Sequence, residues 1–293
     1  MHPATLCDLA ARLGVAESDL RRLIENAESL YTVRRRRKVS GRVRVLHVPA
    51  EELRTVQRRL SAHLLMGIRV ASAAHGFVRG RSIADAARPH VGQRCVLHLD
   101  IADFFPSITS AMVRGTLRGE GFSEEAAEAL TRLTTLRGRL PQGAPTSPAL
   151  SNLVFRPLDH RLSALAKRRG IIFTRYADDL TFSGKGDTPG ILPTVREILG
   201  EAGFRLRADK TRVQRRGRAQ RVLGLTVNDG VGVARSLRRN LRAALHRAAR
   251  QGGRPTTEQM ARIEGMIAHI GSVSPAQAAP LRAALVRLKA ESS

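Results

Sequence analysis

The sequence predicts a mixed α+β protein whose C-terminal segment is helical. Apolar residues recur at helical spacing in several segments, the first long one running from Glu51 to Leu65. Apolar runs of β type lie between these segments, and the stretch from Ile171 to Ser183 has the pattern of a hairpin. With 42% hydrophobic residues in 293, the chain can bury a core of ordinary size. We therefore expect a folded α+β body.

The N-terminal part is predicted to contain short helices followed by a basic hairpin. Residues 1–30 have helical spacing, with Ser18 as the N-cap of a helix. Seven of the eleven residues from Arg34 to Arg44 are Lys or Arg. A Ser-Gly turn at 40 and 41 separates the basic and alternating segments, which predicts two paired strands up to Pro49.

The central and C-terminal parts are predicted to alternate strands and helices before ending in helices. Val96 to Ile101 is predicted to be a buried strand, and the predicted helices cover 123–136, 148–168 and about 189–202. From Ser236 onward an apolar stripe has a basic face outside it. The stripe consists of Leu237, Leu241, Leu245 and Ala248, and the basic face includes Arg238, Arg239, Arg242 and Arg247.

The charge balance predicts a polyanionic partner. The chain has 50 Lys and Arg against 25 Asp and Glu, which gives a net charge of +25 and a pI of about 11.7. Each basic side chain that neutralises a phosphate adds affinity for nucleic acid. Aromatic residues make up only 3%, with no Trp, which argues against a single-strand binder built on base stacking.

The apolar runs, the N-terminus and the two cysteines constrain the compartment of the protein and its metal chemistry. No apolar run approaches the length of a membrane span, and the N-terminus lacks signal-peptide features, so we expect a cytoplasmic protein without membrane contact. Cys7 and Cys95 form neither a disulfide framework nor a zinc-type pair. Any bound metal should therefore be held by carboxylates.

Three carboxylates are candidates for that chemistry. Asp100 ends the predicted strand, and Asp178 and Asp179 lie at the predicted hairpin tip. They can converge only if the strand and the hairpin are neighbours in one sheet. Such a cluster repels itself without cations, and its oxygen ligands suit Mg²⁺. Two such ions can stabilise the attacking and leaving oxygens of a phosphoryl transfer, which is the chemistry of polymerases.

Several ordered motifs resemble those of bacterial reverse transcriptases of the retron type. They are HGFVRGRSIADAARPH at 75–90, LHLDIADFFPSI at 97–108, LPQGAPTSPALSN at 140–152, RYADDLTFSG at 175–184, GFRLRADKTRVQ at 203–214 and VLGLTVN at 222–228. The resemblance implies an RNA-directed DNA polymerase with a right-hand fold. Its implied parts are an N-terminal helical segment at 1–30, fingers and their connection at 31–95, a palm at 96–235 that includes an insert at about 110–140, and a helical thumb at 236–293.

The resemblance also implies roles for individual residues. Asp100, Asp178 and Asp179 would be catalytic and would hold two Mg²⁺ ions, with Mn²⁺ as the alternative. The nucleotide-binding residues would be Phe105, which blocks a ribose 2′-OH, together with Gln142, Gly143, Arg44, Arg81 and Lys210. Contacts to RNA would come from His90, Arg238, Arg239 and Arg242. For Arg44, Arg81, Lys210 and His90, a solvated or merely structural side chain is the alternative interpretation. For Phe105, the alternative is a core ring beside Phe104.

The implied partners are a structured non-coding RNA, its DNA product, dNTPs and, as an option, an associated effector protein. The expected product is single-stranded DNA linked to that RNA, primed from a guanosine 2′-OH, with a role in antiphage defence. Two positions depart from the retron pattern, because Ala86 replaces an Asn and Leu223 replaces a Thr. Another bacterial reverse transcriptase class, such as a diversity-generating or group II type, and a non-catalytic RNA-binding polymerase fold are the alternatives.

Overall fold

The computed structural model describes residues 3–37, 41, 43–250 and 256–290. The helices in these ranges are α1 Leu6–Leu13, α2 Glu17–Asn26, α3 Glu51–Leu60, α4 Ile83–Ala87, α5 Phe104–Ser107, α6 Ser110–Gly119, α7 Glu124–Thr134, α8 Ser147–Arg168, α9 Leu192–Glu201, α10 Arg235–Arg250, α11 Thr257–Val273 and α12 Pro275–Ala290. The strands are β1 Tyr31–Arg37, β2 Val43–Pro49, β3 Cys95–Asp100, β4 Ile172–Tyr176, β5 Asp179–Gly184, β6 Arg212–Arg215, β7 Arg221–Val222 and β8 Leu225–Thr226.

A four-stranded antiparallel sheet lies at the centre of the molecule, with strand order β4-β5-β3-β6. The β4–β5 hairpin predicted from the sequence is confirmed, and it pairs with the predicted buried strand β3. The register places Asp100 directly opposite Asp179. Because side chains alternate along a strand, a slip of one residue would turn this pair to opposite faces of the sheet. Strand pairing therefore brings together carboxylates that are 79 residues apart in the sequence.

Two hydrophobic clusters hold the chain together. The larger one joins the N-terminal helices, α3 and helices α6 to α9 to one another and to the central sheet. The smaller one packs helices α10 to α12 against β7, β8 and the side chain of Val96. Leu241 and Leu245 are buried in it, with Leu237 and Ala248 at its margin, which confirms the apolar stripe predicted for α10.

The basic hairpin is also confirmed, since β1 and β2 pair antiparallel from Tyr31 with Pro49 to Arg37 with Val43. Most of its side chains are exposed, as expected for a strand pair covered with arginines. The turn predicted at Ser40 lies outside the described residues. The backbone N–H of His47 in β2 donates to the carbonyl of Gln142 at 2.8 Å, which ties the hairpin to the loop before α8.

Helix starts differ from the prediction near the N-terminus. Ser18 is not an N-cap, because α2 begins at Glu17 and its N-cap position is Ala16. The capped helix is the preceding one: Thr5 and Asp8 form a reciprocal capping box at the start of α1. The predicted helix at 51–65 is confirmed, although its last five residues form a π-helical turn. In the described ranges, no helix is both long enough and apolar enough to cross a membrane.

Candidate active site

The three predicted carboxylates line one cleft of about 530 Å³ at an end of the central sheet. Asp100 ends β3, Asp179 begins β5, and Asp178 lies in the turn between β4 and β5. The carbonyl of Asp178 accepts a hydrogen bond from the backbone N–H of Ile101 at 3.0 Å, which fixes the turn to the end of β3. The other described lining residues include Arg44, Lys210, His98, Leu99, Arg212, Gln214, Arg221, Leu223 and Gly224.

The turn that carries Asp178 is held in an unfavourable conformation. Ala177 has a φ of 56°, in the left-handed region that L-residues rarely adopt. The Nη1 of Arg175 donates to the carbonyl of Ala177 at 3.2 Å. The rest of that guanidinium donates to both carboxylate oxygens of Asp159 in α8, each at 2.7 Å, and both side chains are fully buried. This buried ion pair therefore links the turn to the helix behind the sheet.

Asp100 is 5% exposed and has positive charge on two sides. The Nζ of Lys210 lies 2.5 Å from its Oδ2, and the Nε of Arg207 lies 3.8 Å from its Oδ1. Oδ1 is buried and has no hydrogen-bond partner among the described residues. A buried carboxylate oxygen without a partner is costly, and a cation is the ligand that would relieve this cost.

Burial and mutual repulsion disfavour ionisation of the other two carboxylates. Burial raises the pKa of Asp178, and the nearby charge of Asp100 raises it further, while Lys210 and Arg44 oppose this shift. Burial, followed by the charges of Asp178 and Asp100, raises the pKa of Asp179 to about 6. Lys210 and Arg44 thus offset the burial and mutual repulsion of these carboxylates only in part.

These properties fit a hard divalent cation. Carboxylate oxygens are the preferred ligands of Mg²⁺ and Mn²⁺. The Oδ1 of Asp100, which has no hydrogen-bond partner among the described residues, is available as such a ligand. As the side chains stand, however, no three His, Cys, Asp or Glu residues in the described part of the chain are grouped tightly enough to hold a metal. Lys210 neutralises Asp100 instead. The assignment of these carboxylates as metal ligands stays a prediction.

An aromatic cluster, outside the described lining of the cleft, extends from the core to Tyr176. The ring of Phe105 is partly buried and lies 5.4 Å from that of Phe104, which belongs to the core. On its other side, the ring of Phe77 lies 6.1 Å away, and Phe77 also lies 6.5 Å from Tyr176, the residue before the strained turn. Phe105 is thus held between the core and the exposed ring of Phe77.

Comparison with known proteins gives the family. Residues 36–227 match the reverse transcriptase (RNA-dependent DNA polymerase) family. The chain is 43% identical to the retron Mx65 reverse transcriptase of Myxococcus xanthus, over 92% of this chain and 69% of that protein. It is 38% identical to the retron Mx162 enzyme of the same organism (97% and 67%) and 32% identical to the retron Ec86 enzyme of Escherichia coli (82% and 77%). The chain belongs to the retron reverse transcriptases. It is an RNA-directed DNA polymerase, and its α+β architecture is the right-hand polymerase fold.

Two basic residues predicted to bind nucleotide lie in the cleft of this reverse transcriptase. Arg44 projects from β2 of the basic hairpin, and Lys210 is the last residue of a 3-10 turn before β6. Their placement beside Asp100 and Asp178 agrees with the prediction, and their contact with a nucleotide remains to be tested.

Gln142 and Gly143 lie in the loop before α8, outside the described lining of the cleft. The close backbone approach predicted for the glycine is present, but its partner is protein. Gly143 has a φ of 127°, and a Cβ there would lie 2.8 Å from the carbonyl oxygen of His47. The loop therefore packs on the basic hairpin, which requires a glycine at this position.

Arg81, which is predicted to bind nucleotide, has one end of its guanidinium bound to the protein backbone, and its contact with a nucleotide stays a prediction. Its Nη1 donates to the carbonyls of Ala71, Ser72 and Ala74, the second at 2.9 Å. The guanidinium thereby satisfies backbone groups in the loop at 71–74. Arg81 supports the segment that leads to Phe77.

His90, which is predicted to contact RNA, is 0% exposed and therefore has no surface for direct contact. Its Nδ1 lies 2.6 Å from the hydroxyl of Ser183 in β5, and its Nε2 lies 2.8 Å from that of Thr174 in β4. Thr174 donates its own proton to the carbonyl of Ala86, so we assign Nε2 as the donor and Nδ1 as the acceptor of the imidazole. Burial lowers the pKa of His90 to about 3. The structural alternative considered for this histidine is confirmed.

The arginines predicted to bind RNA lie on α10. Arg239 and Arg242 are exposed, whereas Arg238 is half-buried and its Nε is shielded, without a hydrogen-bond partner in the described part of the chain. The exposure of Arg239 and Arg242 agrees with the predicted basic face of α10.

Sequence reasoning missed three features of the site: the Arg175–Asp159 pair, the ring of Phe77, and His98. His98 lines the cleft and its Nε2 lies 3.2 Å from the carbonyl of Arg221. The motif RYADD contains Arg175 close to the candidate carboxylates, but its partner Asp159 lies 16 positions earlier. Local sequence patterns carry no signal for such a pair.

Proposed function

We propose that this enzyme copies part of a cognate structured non-coding RNA into single-stranded DNA that remains linked to the RNA, with synthesis primed from a guanosine 2′-OH. The observation that carries the proposal is the convergence of Asp100, Asp178 and Asp179 with Arg44 and Lys210 on one cleft of a chain with a net charge of +25. Similarity to named retron enzymes supports the type of product. A role in antiphage defence, with an associated effector protein as an optional partner, is part of the same proposal.

Asp100, Asp178 and Asp179 are proposed to hold two Mg²⁺ ions, with Mn²⁺ as the alternative. When bound, such ions would lower the pKa of the primer hydroxyl and offset charge on the triphosphate and the leaving pyrophosphate. Lys210 would exchange its ion pair with Asp100 for the nucleotide's phosphates. Arg44, carried by the exposed hairpin, would grip the triphosphate, for which a guanidinium offers paired donors.

Phe105 is proposed to exclude ribonucleotides by occupying the space that a 2′-OH needs. Its packing between Phe104 and Phe77 supports this role, because a ring that cannot move aside makes an effective steric barrier. Gln142 and Gly143 would border the same nucleotide from the loop that packs on the hairpin.

The larger parts of the chain are proposed to divide the work of a right-hand polymerase. Residues 31–95 would form the fingers and their connection, 96–235 the palm and 236–293 the thumb, with 1–30 as an N-terminal helical segment. The separate hydrophobic cluster around α10 to α12 supports a distinct thumb. Arg238, Arg239 and Arg242 on α10 would contact RNA phosphates, consistent with recognition by shape and backbone.

The experiment is to express the gene with its native flanking DNA and to analyse the nucleic acid that co-purifies with the protein. The wild type is compared with a variant that carries both Asp178→Asn and Asp179→Asn. We expect a discrete DNA joined to RNA through a debranching-sensitive linkage in the wild type, and none in the variant.

If RNA co-purifies without such DNA while the wild type still extends ordinary primers on RNA, the retron product is refuted and another class of reverse transcriptase product is indicated. If the variant makes as much DNA as the wild type, the assignment of the carboxylates is wrong.

A further inference from the structure

Phe77 combines two unfavourable properties in one residue. Its φ is 61°, a left-handed conformation that is a genuine outlier for a bulky side chain, and its side chain is 46% exposed to solvent. Neither a hydrophobic ring in water nor a strained backbone contributes to folding. Such strain clusters at ligand-binding and active sites, where surrounding structure enforces it.

The structure around Phe77 enforces this conformation from three directions. The side-chain amide of Asn152 in α8 donates to the carbonyl of Gly76 at 2.9 Å. The backbone N–H of His75 donates to the carbonyl of Arg175 at 2.8 Å, on the strand that carries the catalytic turn. A Cβ at position 76 would lie 2.6 Å from the backbone nitrogen of Ala177, so only glycine allows this close approach. The segment is thus fastened directly to the turn that bears Asp178.

The ring of Phe77 completes a row of aromatic side chains that runs from the core to the surface. Phe104 is buried, Phe105 is partly buried, and Phe77 is the exposed end of the row. The same ring lies 6.5 Å from that of Tyr176, whose cross-strand partner is Asp179. The ring of Phe77 therefore lies near both the residue proposed to exclude ribose and the residue that pairs with Asp179.

We propose that Phe77 is a nucleotide-specificity residue whose exposed ring packs against the nucleoside moiety of the nucleotide being joined. This inference rests on the proposed nucleotide-binding role of Phe105. Aromatic rings stack on nucleobases and pack on sugars regardless of sequence, which suits a polymerase that accepts all four dNTPs. By packing against Phe105, the ring of Phe77 would also hold Phe105 in the position where it blocks a ribose 2′-OH.

The test is steady-state primer extension on a generic RNA template with Mg²⁺, using Phe77→Gly, Phe77→Leu and Phe77→Tyr. Glycine accepts a φ of 61° without strain, so we expect Phe77→Gly to fold. It should raise KM for dNTPs about tenfold, within the range of base–aromatic stacking, and reduce discrimination against rNTPs about fivefold or more. Phe77→Leu should be intermediate, and Phe77→Tyr should match the wild type.

Val286→Ala, at an exposed apolar position on α12, is the matched control and should leave both quantities unchanged. The proposal is overturned if folded Phe77→Gly keeps the wild-type KM and rNTP discrimination, or if only kcat falls while both stay constant. Failure of the proposed function would look different from failure of this inference. In that case the variant with both Asp178→Asn and Asp179→Asn would keep the polymerase activity of the wild type.

Discussion

At the scale of the residue, the ionised form of Asp179 lowers the stability of the folded protein. Its pKa is raised to about 6 from an ordinary value of 3.8 by burial and by the charges of Asp178 and Asp100. Between these two values the folded chain binds more protons than the unfolded chain. The stabilisation from this proton is therefore complete below about pH 4 and is lost as pH rises through about 6.

We predict that Asp179→Asn raises the melting temperature of the metal-free protein at pH 7 by about 2 to 4 °C, because it removes an ionised, repelled carboxylate. The gain should disappear near pH 4, where the wild-type side chain is protonated. The same variant should lose polymerase activity. Thermal unfolding in EDTA across this pH range is the measurement, and a variant that is less stable than wild type at pH 7 would contradict it.

At the scale of the element, helix α8 and the β4–β5 hairpin are joined by the buried Arg175–Asp159 pair. The guanidinium of Arg175 also lies 4.6 Å from the ring centre of Phe155 in α8. This one side chain therefore stacks on Phe155, pairs with Asp159 and donates to the Ala177 carbonyl. Breaking one partner of such a pair costs about 3 to 5 kcal/mol, whereas replacing both by apolar residues is often neutral. Comparing a single with a double replacement therefore separates the effect of the pair on stability from its effect on the position of the Ala177 turn.

We predict that Asp159→Leu alone destabilises the protein by about 3 to 5 kcal/mol, and that adding Arg175→Met restores most of that loss. The double variant should still have a kcat at least about tenfold below wild type, because the Ala177 carbonyl loses its donor and the strained turn relaxes. Denaturant unfolding and primer extension give the two quantities. Wild-type kcat in the stable double variant would show that the pair has only a structural role.

At the scale of the whole molecule, the excess of 25 positive charges is spread over several exposed surfaces. The hairpin β1–β2, the segment 205–221 and the outer face of α10 carry much of it. Affinity for RNA should therefore depend strongly on salt, since each phosphate contact releases counterions. The proposed phosphate contacts of α10 should account for a measurable part of this salt dependence of RNA affinity.

We predict that Arg239→Gln with Arg242→Gln lowers the slope of log affinity against log salt concentration by about 1.4 to 1.8, which corresponds to two phosphate contacts. Arg196→Gln with Arg287→Gln removes the same charge from exposed positions on α9 and α12 and is the control. Titration of the cognate RNA at several salt concentrations gives the slopes. Equal slopes for the two double variants would mean that α10 contributes only to the net charge.

The sequence allowed much of this fold to be predicted because many of its signals are local. Alternating residues around a turn predict the basic hairpin, and apolar spacing predicts α8 and the buried face of α10. Helix capping was less predictable: Ser18 is a suitable cap residue, yet α2 begins one residue before it, at Glu17. The partners of His90 were also inaccessible, because Thr174 and Ser183 lie 84 and 93 positions further along the chain.

By itself, the sequence determined the fold class, the family and the identity of the three carboxylates, because periodicity and ordered motifs are properties of a linear chain. Only the tertiary structure decided that Asp100 faces Asp179, that Arg175 holds the Ala177 carbonyl, and that Phe77 stands exposed and strained beside Phe105. These features depend on strand register and on packing between segments far apart in the chain. Burial then sets their chemistry, since the same carboxylate has an ordinary pKa in water and a raised one in this cleft.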